Sequence, residues 1–157
     1  MDRRTLIFTG AAMIISGGIG FVISQQSPSK IDSTSQNQLV SLYPSITETI
    51  FYLGGEEFLK GRSDFCLHPS SAQSVVKVGT SLTPNLEKLI ALQPSKILVD
   101  GSTGTPISSL QAIAPVVVLP WLTLADILSS TEKLGVEIGR QSQAKTLIEL
   151  YQQRFSP

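Results

Sequence analysis

The stretch Val75–Asp100, VVKVGTSLTPNLEKLIALQPSKILVD, carries a loop, a helix signal and a buried-strand signal in immediate succession, and it constrains the fold more than any other part of the chain. Thr83 reads as an N-cap, and Pro84 fits the first helical position, where a missing N–H costs nothing. Leu86, Leu89 and Ile90 then fall on one face at helical spacing. Pro94 limits the helix. Ile97-Leu98-Val99 follows as a continuous apolar run, the mark of a parallel strand covered on both faces. Asp100-Gly101-Ser102-Thr103-Gly104 opens a polar loop at the strand's carboxyl end, where open α/β sheets keep their ligand sites.

The same alternation runs through the rest of the chain. Leu39–Tyr43 is the first strand, closed by Pro44. Ser45-Ile46-Thr47-Glu48 has the S-x-x-E form of a capping box. Ile46, Ile50 and Leu53 give that helix an apolar face, and Gly54-Gly55 stops it. Phe58–Arg62 reads as a short strand and Ser63–Ser74 as a loop. A short helix runs from Thr105 or Pro106 through Ile113, and Val116–Leu119 is another buried strand, ended by Pro120. Thr123–Asp126 is a second box-like cap. Leu124, Ile127, Leu128, Thr131, Leu134 and Ile138 form the stripe behind it, broken near Gly139. The last helix starts near Ser142 and lines up Ala144, Leu147, Ile148, Tyr151 and Phe155. Strands and helices alternating with short connections predict an α/β fold with a mostly parallel sheet flanked by helices and right-handed crossovers.

The N-terminus differs in kind. After Arg3-Arg4 no charge appears until Lys30, and Leu6–Ile23 is mostly apolar. A basic start before such a run predicts an export signal or signal anchor over residues 1–23, with the arginine pair resembling a twin-arginine signal. The run is just long enough to span a bilayer. Residues 24–38, rich in Ser, Gln, Thr and Asn, predict a polar tether. The folded lobe is then expected over 39–140, with a further helix begun in 141–157. Twelve basic and twelve acidic residues leave zero formal net charge, and no basic run or basic helix face asks for nucleic acid.

Several enzyme classes find no support. No G-x-G-x-x-G follows the first strand and no G-x-x-x-x-G-K-[ST] occurs. The lone His68 precedes Pro69 in a loop with no nucleophile signature. Cys66-Leu67-His68 admits two readings, a metal or haem ligand pair or loop packing; a pair of neighbouring ligands without a further cluster favours packing. Glu87 in a first helical turn is explained by the helix dipole alone, at roughly 0.3–1 kcal/mol, and Glu48 by its capping box. Tyr43 and Phe65 are either core residues or the aromatic grip of a cleft for a flat apolar ligand.

At these residues the chain resembles the class III substrate-binding proteins of ABC importers. Leu39–Leu53, with P-S-x-T-E between strand and helix, is similar to the family's opening motif. Gly61–Pro69 resembles its ligand loop. Val78-Gly79, Pro84-Asn85-Leu86-Glu87 and Ile90-Ala91-Leu92-Gln93-Pro94 before a buried strand are the most specific part, and the likeness runs over about residues 38 to 155. The resemblance implies a non-enzymatic receptor, without a cofactor of its own, for cobalamin or an iron complex (ferric siderophore or haem). It implies two α/β lobes joined by a long helix, of which this chain supplies one Rossmann-like lobe and the start of the connecting helix. By the same resemblance Phe65, Ser81, Asp100 and Gly101 line the ligand cleft, joined by Tyr43 as an aromatic at the same end of the sheet; Glu87 docks on the membrane permease, and the protein works exported, in the periplasm or on the outer face of the membrane. A single lobe is expected to bind only in the millimolar-to-micromolar range, since about half of a nanomolar contact energy remains. The alternatives are an envelope interaction module that has lost transport, and a small exported enzyme or redox protein using Cys66 and His68.

Overall fold

The computed structural model describes residues 37–101 and 104–155. The expected signal segment, almost all of the tether, and Ser102 and Thr103 lie outside the described residues. Within the compact unit Asp32–Pro157, the strands are β1 (Leu39–Ser41), β2 (Leu59–Arg62), β3 (Val76–Lys77), β4 (Lys96–Val99) and β5 (Val116–Val118). The helices are α1 (Pro44–Tyr52), α2 (Leu86–Leu92), α3 (Ile107–Gln111), α4 (Leu124–Glu137) and α5 (Gln141–Phe155). The sheet order is β3-β2-β1-β4-β5, and all four pairings are parallel.

Period-two alternation sends successive strand residues to opposite faces and builds two cores. Leu39, Leu59 and Leu98 join Ile46, Ile50 and Leu53 of α1, Leu134 and Ile138 of α4, and Ala144 and Leu147 of α5 on one face. Val40, Ile97 and Val99 join Leu89 of α2 and Leu110 of α3 on the other. The result is a helix–sheet–helix sandwich. Each fully buried Leu, Ile or Val contributes roughly 1.5–3 kcal/mol.

Helix stops follow the sequence closely. Gly54 (φ 66) and Gly139 (φ 66) are the left-handed residues that end α1 and α4. Gly55 N–H donates to the Ile50 carbonyl and Gly54 N–H to Phe51; Arg140 N–H donates to Gly135 and Gly139 N–H to Val136. Both are Schellman closures. The capping box of α4 forms as expected, with Asp126 N–H donating to Thr123 Oγ1 at 3.1 Å and Thr123 N–H to Asp126 Oδ2 at 2.9 Å.

Two expected caps are displaced. Pro44 does not merely end the strand; it opens α1, with extended Tyr43 at the N-cap and no side-chain cap. A proline's fixed φ suits the first helical residue, so the Ser45–Glu48 box has no terminus to cap. In α2 the N-cap is Asn85, whose Oδ1 accepts from Lys88 N–H at 2.9 Å. Thr83 and Pro84 are held outside the helix by the antiparallel bridge Gly79–Pro84. The buried stripe of α2 is Leu89 with partly buried Leu92; Leu86 and Ile90, 38% and 60% exposed, face outward. β5 is an edge strand and only half-buried, because among the described residues no strand pairs beyond it. β3 falls where a loop is expected: two exposed residues, Val76 and Lys77, leave no periodic signal.

Candidate functional site

Because every strand runs the same way, the loops after them gather at one edge. β1 leads through α1 to β2 on one side, whereas β4 lies on the other side of β1. The switch point between β1 and β4 is where open α/β sheets bind ligands. Tyr43 follows β1, Phe65 follows β2, Ser81 follows β3, and Asp100 and Gly101 follow β4, so all five residues named from the sequence lie along this edge.

Three contacts join their loops. Tyr43 Oη and Thr105 Oγ1 lie 3.1 Å apart across the switch point. Asp64 N–H donates to the Gly79 carbonyl at 2.8 Å, tying the β2 loop to the β3 loop. Gly104 (φ 94) sits against Leu82, whose Cδ2 would be 3.1 Å from a Cβ placed there, so the β3 and β4 loops also touch. Phe65 is 66% exposed and Leu82 57%. Tyr43 is half-buried against both cores; Phe65 is not a core residue. Ser81 is half-buried and Gly101 exposed. Glu87 is exposed in the first turn of α2, with no side-chain partner among the described residues.

A buried polar cluster fixes this edge from beneath. Thr47 Oγ1 lies 2.8 Å from Ser41 Oγ and 3.0 Å from Cys66 Sγ, and its single proton serves one of them at a time. Ser41 Oγ donates to the Tyr43 carbonyl at 3.1 Å, and Phe65 N–H donates to Ser63 Oγ at 3.2 Å. Cys66 is fully buried in this cluster. His68 is exposed. Cys66 therefore packs the loop and does not pair with His68 as a ligand set. Among the described residues no group of three or more His, Cys, Asp or Glu is placed to hold a metal ion.

Sequence reasoning passes over Thr105, Leu82 and Arg62. Arg62 is fully buried and bridges the ends of the next loop, donating from Nη1 to the Ser63 carbonyl at 3.0 Å and from Nη2 to Gln73 at 3.2 Å. The available signal is a second basic residue, after Lys60, closing a short strand. Thr105 gives none, since its partner is 62 residues away. The concavity between α1 and α5, about 200 Å³, includes none of the five residues; it is lined by Glu48, Tyr52, Trp121 and Tyr151 among others.

Comparison with known proteins agrees with this architecture. The sequence profile described as periplasmic binding protein matches residues 39–157. The vitamin B12-binding protein of Pectobacterium atrosepticum is 30% identical over 121 residues, covering 75% of this chain and 43% of that protein. The Fe(3+) dicitrate-binding periplasmic protein FecB of Escherichia coli is 33% identical over 82 residues, covering 50% of this chain and 27% of that protein. The crystal structure of a periplasmic haem-binding protein from Pseudomonas aeruginosa superposes with a TM-score of 0.70 at 28% identity, covering 75% of this chain and 44% of that one. The chain thus spans less than half the length of these relatives, all of which are named as binding proteins and none as an enzyme. With its profile match running from the first strand to the last residue, the chain belongs to the periplasmic binding protein family.

Proposed function

We propose that the chain is a ligand-gripping lobe of an exported substrate-binding protein of an ABC importer, and that its cargo is a metal chelate of the cobalamin, haem or ferric-siderophore class. The observation that carries this reading is the carboxyl edge. Phe65, two-thirds exposed on a loop anchored at Ser63, Asp64 and Cys66, stands in line with the tied Tyr43–Thr105 pair at the switch point. A flat, largely apolar chelate with polar fringes finds there an aromatic face, the half-buried Ser81, and the Asp100-Gly101 turn. Relatives named for vitamin B12, ferric dicitrate and haem support the cargo class. Glu87, exposed and without a side-chain partner among the described residues, takes the role of docking on cationic residues of the permease, and residues 1–23 that of export or membrane attachment.

The test is titration of the full chain with cyanocobalamin, haemin and ferric dicitrate by calorimetry. One of the three should bind in the micromolar-to-millimolar range, and Phe65→Ala should weaken it by about tenfold, the loss of one well-covered aromatic contact. Binding of all three with no preference and no dependence on Phe65 would overturn the assignment of this edge. For docking, Glu87→Arg should abolish co-purification with the permease while leaving chelate binding intact.

A further inference from the structure

The notch between α1 and α5 lies outside the residues assigned above. Its volume is about 200 Å³, small beside sites for drug-sized ligands, which start near roughly 300 Å³. Its lining includes three aromatic side chains, Tyr52, Trp121 and Tyr151, and one carboxylate, Glu48; no Lys or Arg is among the lining residues. Glu48 has no structural occupation. The capping box suggested by its spacing does not form, and it has no ion pair or hydrogen-bond partner among the described residues. Tyr52 is 62% exposed, more than a core packing role requires. Burial first, then the neighbouring Tyr52 and Glu48, push the Tyr151 phenol above its ordinary range.

Three aromatic side chains and a carboxylate lining one space the size of a head group fit a particular chemistry. Ring quadrupoles attract a cation that is large, soft and weakly hydrated, and an acidic neighbour supplies the countercharge. We propose that this notch is an aromatic cage for a methylated ammonium head group, with Glu48 as counter-ion. The cage includes none of the five residues assigned to the chelate and needs neither cargo nor permease.

Trp121 is the only tryptophan of the chain and lines the notch, so changes in its emission on titration are free of other tryptophans. The experiment is a fluorescence titration of the full chain with tetramethylammonium chloride against equal sodium chloride, repeated with choline and its neutral isostere 3,3-dimethylbutan-1-ol. Saturation is expected on the order of millimolar, as for any ligand of so few atoms. Glu48→Gln and Tyr52→Ala, both at exposed positions, should each weaken it about fivefold with an unchanged thermal melt. Competition by phosphatidylcholine vesicles, absent with phosphatidylglycerol vesicles, would assign the head group to a lipid; no competition would assign it to a soluble solute. Equal response to choline and the neutral isostere, or an unchanged titration in Glu48→Gln, would overturn the cage.

Discussion

Gly135 of α4 lies directly against Ala144 of α5, and Gly135→Ala tests how tightly α5 is seated. A Cβ at this buried position would lie 2.4 Å from Ala144 Cβ, with the Arg140 carbonyl at 3.3 Å. The partner atom belongs to a side chain with no rotamer to escape through, so the helices must separate by about 1 Å to reach ordinary contact. Overpacking of this kind costs typically 1–3 kcal/mol, here at the upper end. Helix propensity offsets about 1 kcal/mol, since alanine is the better helix former. The net expectation is a loss of about 2 kcal/mol, or roughly 6–12 °C in Tm for a domain of this size. Ala144→Gly alone should cost about 1–2 kcal/mol through propensity and a lost buried methyl. In the double variant Gly135→Ala, Ala144→Gly the new methyl occupies the space vacated by the old one. It should lie within about 1 kcal/mol of the parent, a coupling of roughly 2–3 kcal/mol. Urea and thermal unfolding followed by circular dichroism measure all four corners of the cycle. Additivity within about 0.5 kcal/mol would mean that the two positions do not meet and that α5 is not seated through this contact.

Three further outcomes are expected. Asn85→Ala should cost about 1 kcal/mol of stability and Thr83→Ala markedly less, because Asn85 caps α2 while Thr83 only exchanges an exposed hydroxyl contact with Thr80; the reverse order in chemical unfolding would restore the Thr83 cap. Thr123→Ala should lose roughly 0.5–2 kcal/mol, read by the shift in urea midpoint at constant m, since it removes half of the α4 capping box. Tyr151, raised first by burial and then by Tyr52 and Glu48, favours its neutral form in the folded state. Its contribution is therefore complete below the unfolded value near pH 10 and lost as pH rises through the folded value. Melts of Tyr151→Phe should fall less steeply than the parent above about pH 10, and parallel curves would remove Tyr151 as the source.

Much of the fold is legible because its signals are local. Ile97-Leu98-Val99 is an apolar run for the same reason that it is central: both faces are covered. Gly54 and Gly139 announce helix ends because only glycine adopts their backbone without strain. Sequence pattern misplaces the caps at Ser45 and Thr83 because two candidate starts lie within two residues, and the choice between them is made elsewhere. Pro44 wins at α1 through its fixed φ, and the Gly79–Pro84 bridge pushes the start of α2 to Asn85. Gly79 (φ 88) allows that approach, since a Cβ there would lie 2.6 Å from the Thr83 carbonyl. The edge residues can be named in sequence by position after each strand. Their ties to Thr105, Leu82 and Gly79 depend on strand order, which no local pattern encodes.

The contrast between Phe65 and Cys66 links this fold to the proposed grip. Neighbours in sequence, one is 66% exposed and the other fully buried. Their shared backbone is held by Ser63 Oγ beneath Phe65 N–H, by the Cys66 N–H bond to the Ser63 carbonyl, and by the Asp64 bond to Gly79. An aromatic ring left exposed on a mobile loop would lose much of its contact energy to ordering on binding. On a fixed loop that cost falls mainly on the side chain's own rotamers, roughly 0.5–1.5 kcal/mol. Each 100 Å² of ring and chelate surface brought together then contributes about 2.5 kcal/mol before those costs. Loosening the loop without touching the ring separates the two contributions. Cys66→Gly removes the buried thiol and frees the backbone while Phe65 stays in place. On the proposed function it should weaken chelate binding with a more unfavourable entropy and little change in binding heat capacity, whereas Phe65→Ala should reduce the heat-capacity change itself. Identical calorimetric signatures for the two variants would show that the loop contributes through its surface alone, and that its anchoring has no part in the grip.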